Sequence, residues 1–111
     1  SRMTFFVIKS DAFHVIFNSF ADYEKGRIRK FLIQIVEHGN QVGQPIRFEF
    51  FREKKFNGKR MYFLVYNEWN AILLVTFSDK KEQPKVITEI ILQLPYYKEF
   101  VRTRLIEMGI I

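Results

Sequence analysis

Lys80 and Lys81 stand side by side in "SDKKEQP", directly after the apolar run "AILLVTF". A second group of cations lies upstream in "RFEFFREKKFNGKR", where Arg47, Arg52, Lys54, Lys55, Lys59 and Arg60 are set against only Glu49 and Glu53. Guanidinium and ammonium groups hold phosphates, and aromatic rings stack unpaired bases. The same groups can cut RNA without a metal. The ribose 2′-hydroxyl attacks its own phosphodiester once a base takes its proton, and nearby cations stabilise the charge on the phosphorane. Crowding by like charge favours a neutral lysine amine, the form that acts as a base; a phenol or a second lysine then protonates the leaving 5′ oxygen.

Spacing decides which of these groups meet. In "KRMYFLVY", strand alternation sends Arg60, Tyr62, Leu64 and Tyr66 to one face and Met61, Phe63 and Val65 to the other. In the strand before it, Arg52 and Lys54 share a face, while Lys55 shares its face with Glu53. Cross-strand neighbours sit close enough for such side chains to converge. If the strand ending at Lys80 and Lys81 lies beside them, several cations and one phenol share a concave region. The candidate catalytic residues are then Lys54, Arg60, Lys80 and Lys81, and the candidate RNA-contacting residues Arg52, Lys55, Lys59 and Tyr62. Each cation also has an ordinary use, since lysines at strand ends and edges keep sheets from aggregating.

The elements that must position these residues are read from periodicity. "MTFFVI" predicts a first strand from Met3 to Ile8. Ser10 and Asp11 suit a helix start, after which Phe13, Ile16, Phe17 and Phe20 form one helical face. Ile28, Phe31, Leu32, Ile35 and Val36 repeat that spacing, and Gly39 is placed to stop the helix. "GNQVGQP" reads as a loop. The period then changes to that of strands, predicted at 46–56, 59–66 and 70–78, with Asn57-Gly58 as a hairpin turn. The third strand is almost continuously apolar, which predicts a central position covered on both faces. Pro84 opens a helix carrying Ile87, Ile90, Ile91 and Leu94, and a last helix runs from about Tyr96 to Met108. Trp69 falls in a turn, either exposed to a partner or folded back on the core. The predicted class is α+β, in the order β-α-α-β-β-β-α-α.

The 111 residues suit a single domain over 1–111, with Ser1 and Arg2 read as a remnant of cloning. The net charge of +6 admits nucleic acid, an acidic protein or an anionic surface as partner. There is no cysteine, which removes disulfides, zinc–thiolate sites and thiol nucleophiles. His14 and His38 lack acidic or cysteine neighbours at ligand spacing, so no metal and no cofactor is expected. No apolar stretch reaches the roughly 18 residues of a membrane span, and the expected location is cytoplasmic.

The stretch "GKRMYFLVYNEWNAILLVTFSDKKEQPKVITEIILQLPYYKEF" resembles the C-terminal half of RelE/ParE-superfamily toxins. It has their Gly/Lys turn, an arginine before apolar alternation, a short acidic turn, an "ILLV" strand, a basic pair and then a helix. The first strand and helical hairpin follow the same order. The resemblance implies a small, twisted, mainly antiparallel sheet with the N-terminal helical hairpin packed on one face and C-terminal helices. It implies a toxin neutralised by a cognate antitoxin in a hetero-oligomer. In the RelE branch it implies ribosome-dependent cleavage of mRNA. Arg60 matches the family's arginine, Lys81 with Lys80 the basic pair, and Lys54, with Arg52 or Lys55, the basic positions of the preceding strand. RelE enzymes often carry a Tyr or His a few residues after the basic pair, where this chain has Ile87. The ParE branch, which poisons DNA gyrase, and an inactive toxin-fold binding protein therefore remain as alternatives.

Overall fold

The structure is a computed structural model that describes residues 4–111. The expected strand start at Met3 and the expected remnant at Ser1 and Arg2 lie outside the described residues. A first strand, β1 (Phe6–Lys9), leads into a helical hairpin of α1 (Asp11–Ser19) and α2 (Asp22–His38). Ser10 caps α1: its hydroxyl accepts the Phe13 amide and donates to the Val75 carbonyl, tying the helix start to the sheet. Helix α2 does end at His38, but Gly39 is right-handed there (φ −45°), not left-handed. A Cβ at position 39 would meet the end of the Ile72 side chain, which would have to shift.

The predicted loop after Gly39 contains an element that the sequence reading missed, the short strand β2 (Gln44–Ile46). Next come β3 (Phe48–Phe56), β4 (Lys59–Tyr66) and β5 (Ala71–Asp79), then α3 (Gln83–Leu92) and α4 (Leu94–Glu107). Asn57 (φ 47°) and Gly58 (φ 73°) are both left-handed, as the predicted two-residue hairpin turn requires. The sheet order is β1-β5-β4-β3-β2. All its pairs are antiparallel except β1 with β5.

The sheet is covered on both faces. On one side Phe13, Ile28 and Ile35 of the helical hairpin pack on Met61, Phe63, Ile72, Leu74 and Phe77. On the other, Ile90, Val101 and Leu105 of α3 and α4 pack on Phe51, Tyr62, Leu64, Leu73 and Val75. Strand β5 is interior and buried through most of its length, as its apolar run predicts. Trp69 folds back to stack on Tyr66, ring centres 5.6 Å apart. A register shift between Tyr62 and Phe63 alters the alternation of β5. Beyond it Thr76 and Ser78 lie opposite Tyr62 and Arg60, while Phe77 turns to the helical-hairpin side.

Arg52 is part of this framework. It is 5% exposed. Its guanidinium donates to the carbonyls of Val42, Gly43 and Glu49 at 2.8, 3.3 and 3.1 Å, holding the chain around β2 against β3. Removing it takes away three hydrogen bonds that hold this stretch together. Arg52→Ala is expected to destabilise the fold by about 3 kcal/mol, read from urea unfolding; a change within error would remove this role.

Tyr62, Tyr66 and Tyr97 share the core under α3 and α4, and burial holds all three phenols above their ordinary value of 10.0. The unfolded chain gives up these protons first, so stability is full below about pH 10 and falls as pH rises past it. Urea midpoints between pH 8 and 11 test this, and Tyr66→Phe should flatten the alkaline decline.

Candidate nucleic-acid interface

The polar end of the sheet is the end at the β3–β4 hairpin. Here the register sets Lys55 opposite Arg60, Phe56 opposite Lys59, Arg60 opposite Ser78 and Lys59 opposite Asp79. Lys80 and Lys81 are exposed in the turn that follows Asp79, so they leave the sheet at the end that carries Lys59 and Arg60. The turn is closed by the Asp79 carboxylate, which accepts the Glu82 amide at 2.7 Å. Strand β5 therefore ends beside Lys59 and Arg60, but neither Lys80 nor Lys81 lines the cavity at the hairpin.

A cavity of about 340 Å³ opens at the hairpin, lined by Arg27, Lys55, Lys59 and Arg60 together with Asn57 and Gly58. No carboxylate lines it. Arg27 and Lys55 have no ion-pair partner among the described residues. Lys59 is held at 2.7 Å by Glu24, which also accepts from Asn57 and from the Ala21 amide. The Lys59 bond keeps the Glu24 carboxyl below the ordinary carboxylate value. Glu24 therefore locks the first turn of α2 onto the hairpin, and Arg27, one turn further, reaches the cavity. Its part is invisible in the sequence, where it reads as one of several cations on the solvated side of a helix. Only the docking of α2 on the hairpin singles it out.

Arg60 is buried, 9% exposed, and its Nε lies 3.4 Å from Oε1 of Glu53. Tyr62 shares this face but its phenol is enclosed, 0% exposed, and shares a hydrogen bond of 2.7 Å with the Ser78 hydroxyl. Burial chiefly, together with the Glu53 charge, holds that phenol protonated.

The remaining expected residues are elsewhere. Lys54 pairs with Met61, so it points to the helical-hairpin side, where its amine lies 5.2 Å from the centre of the Phe31 ring. Arg52 is not an open cation, for the carbonyl contacts given above. Tyr96 and Tyr97 line a different cavity, of about 330 Å³, beside Ser10 and Glu89. Among the described residues no cluster of three metal-ligating side chains occurs, and no helix is long and apolar enough to cross a membrane.

No protein-family model and no curated protein matches the chain in sequence. Solved structures do match its fold. The RelBE2 toxin–antitoxin complex of Mycobacterium tuberculosis aligns with a TM-score of 0.60 at 11% identity, over 69% of this chain and 99% of that one. The isolated E. coli RelE toxin aligns with a TM-score of 0.61 at 11% identity, over 78% of this chain and 98% of the toxin. The intact E. coli RelBE toxin–antitoxin complex aligns with a TM-score of 0.56 at 15% identity, over 68% and 95%. With the expected α+β class, strand order and helix placement all present, the chain has the fold of the RelE-like toxins.

Proposed function

We propose that the chain is the toxin of a toxin–antitoxin pair, acting in the cytoplasm as a metal-independent endoribonuclease on mRNA at the ribosome. The observation that carries this reading is the hairpin cavity, where Arg27, Lys55, Lys59 and Arg60 gather without a carboxylate in the lining. The fold shared with RelE and with RelBE complexes supports the toxin assignment and an antitoxin partner. In this reading the cavity grips the scissile phosphate and Arg60 stabilises the phosphorane. Lys55, exposed and without a carboxylate partner, takes the 2′-hydroxyl proton in place of Lys54. Lys80 and Lys81, in the neighbouring turn, contact the flanking RNA backbone, and the ammonium of one of them gives a proton to the leaving 5′ oxygen.

One observation favours a second reading. The cavity lining has neither an imidazole nor a phenol to protonate the leaving oxygen, and Tyr62 is enclosed. A toxin-fold protein that binds without cutting, or one that poisons DNA gyrase, uses the same cations for phosphate contact alone.

Cell-free translation followed by primer extension separates the two. The enzyme reading predicts inhibition with new 5′ ends within the message, lost in Arg60→Ala. Inhibition that leaves every message intact supports the binding reading, and no inhibition at any concentration contradicts the toxin assignment. Phosphate contact has its own signature. For single-stranded RNA, Arg27→Ala and Lys55→Ala should each reduce the slope of log affinity against log salt by about 0.7, equally for unrelated sequences. An unchanged slope in both variants would remove the cavity from the interface.

A further inference from the structure

Glu53 is an acidic residue placed inside the cationic end, and phosphate binding alone gives it no task. Its side chain is 6% exposed and its Oε1 is fully buried. Burying a carboxylate is costly unless it is paired and hydrogen-bonded. Its neighbours on that face include the apolar core residues Phe51 and Leu64, with Tyr62 directly opposite. Its two oxygens have different partners. Oε2 accepts from the Gln83 side chain at 2.9 Å, at the first residue of α3. Oε1 lies against Nε of Arg60 at 3.4 Å.

A guanidinium has five N–H donors in a rigid fork. In Arg60 the Nε edge is buried against Glu53, with no aligned hydrogen bond. The terminal amino groups of Arg60 have no hydrogen-bond partner among the described residues, and Arg60 lines the cavity. The Nε edge of the fork is thus turned to Glu53 and buried. That leaves the pair of amino groups suited to two phosphate oxygens.

We infer that Glu53 is a positioning residue for Arg60, itself anchored by Gln83, and that it orients the guanidinium for a phosphodiester in the hairpin cavity. This rests on the reading of that cavity as an RNA site. The chain Gln83–Glu53–Arg60 joins α3 to β3 and β4, so the position of the α3 start sets the aim of the arginine.

The sign of one substitution separates positioning from mere charge balance. Deleting a negative charge beside bound RNA strengthens binding if charge alone matters. Positioning predicts that Glu53→Leu weakens it. Gln83→Ala changes no charge and sits at a helix start, so it tests the same link with little risk to the fold. Affinity for a short single-stranded RNA is measured by fluorescence anisotropy in a double-mutant cycle with Arg60→Gln, with thermal unfolding of every variant alongside. Glu53→Leu and Gln83→Ala are each expected to weaken binding about fivefold in the otherwise native chain and to add no loss in the Arg60→Gln background. Equal losses in both backgrounds, or tighter binding by Glu53→Leu with no effect of Gln83→Ala, overturn the inference while the RNA site stands. If Glu53→Leu does not fold, Gln83→Ala decides alone by the same criterion. Should Arg60→Gln itself leave affinity unchanged, the underlying RNA reading fails, and the positioning role with it.

Discussion

Strands β4 and β5 are buried on both faces, and this constraint decides where polar chemistry can occur. Helices cover each side of the sheet, so the middle of both strands carries no charged side chain and is apolar apart from the Tyr62 phenol and the Thr76 hydroxyl. In β4 and β5 charged groups are confined to the strand ends and to the turns that join them. The end at Asn57 and Gly58 receives Lys55, Lys59 and Arg60 from one hairpin, with Lys80 and Lys81 from the adjoining turn. The cationic patch there combines the local basic run at Lys55, Lys59 and Arg60 with Lys80 and Lys81, which the sheet's register brings to the same end.

Two packing details refine that end. The register shift in β5 turns Ser78 toward Tyr62, which gives the buried phenol a partner and closes it off from solvent. Glu24 clamps α2 to the hairpin through Lys59 and Asn57, bringing Arg27 to the cavity. Both are long-range contacts, and both decide which side chains are open to a ligand. Arg60 is buried together with Glu53, 3.4 Å away, and among the described residues Arg52 and Glu24 are the other buried charges. A buried pair such as Arg60 and Glu53 is weak evidence of stability; in the positioning role inferred for Glu53, its task is to aim the guanidinium.

Much of the fold was legible in the residues. The alternation of "KRMYFLVY" placed Arg60 and Tyr62 on one face, and the structure keeps them there. The 3.6-residue spacing of Ile28, Phe31, Leu32 and Ile35 located α2, and Asn-Gly located the hairpin turn. Strand β2 was not legible, because three residues with a proline carry no period of their own, and the Arg52 contacts that hold the adjoining loop come from ten residues away. The same arginine shows why the site was only partly readable. From sequence it is one cation among six in a basic run, and nothing local shows that its donors are spent on backbone carbonyls. Lys54 was placed with Arg52 on one face correctly, but the reading did not set that face against the helical hairpin, away from Arg60. Arg27 has no sequence signal that separates it from Arg29 or Lys30.

The account stands on one claim, that the hairpin cavity is where the chain holds a nucleic-acid backbone. Titrating isotopically labelled protein with a short single-stranded RNA and following amide and arginine side-chain resonances tests it most directly. The account predicts the largest shifts at the Nε–H of Arg60, at Asn57 and Gly58 and at Arg27, saturating together with a single dissociation constant. Shifts confined to α4 and the opposite end of the sheet, with Arg60 and Arg27 unmoved at saturation, would contradict it.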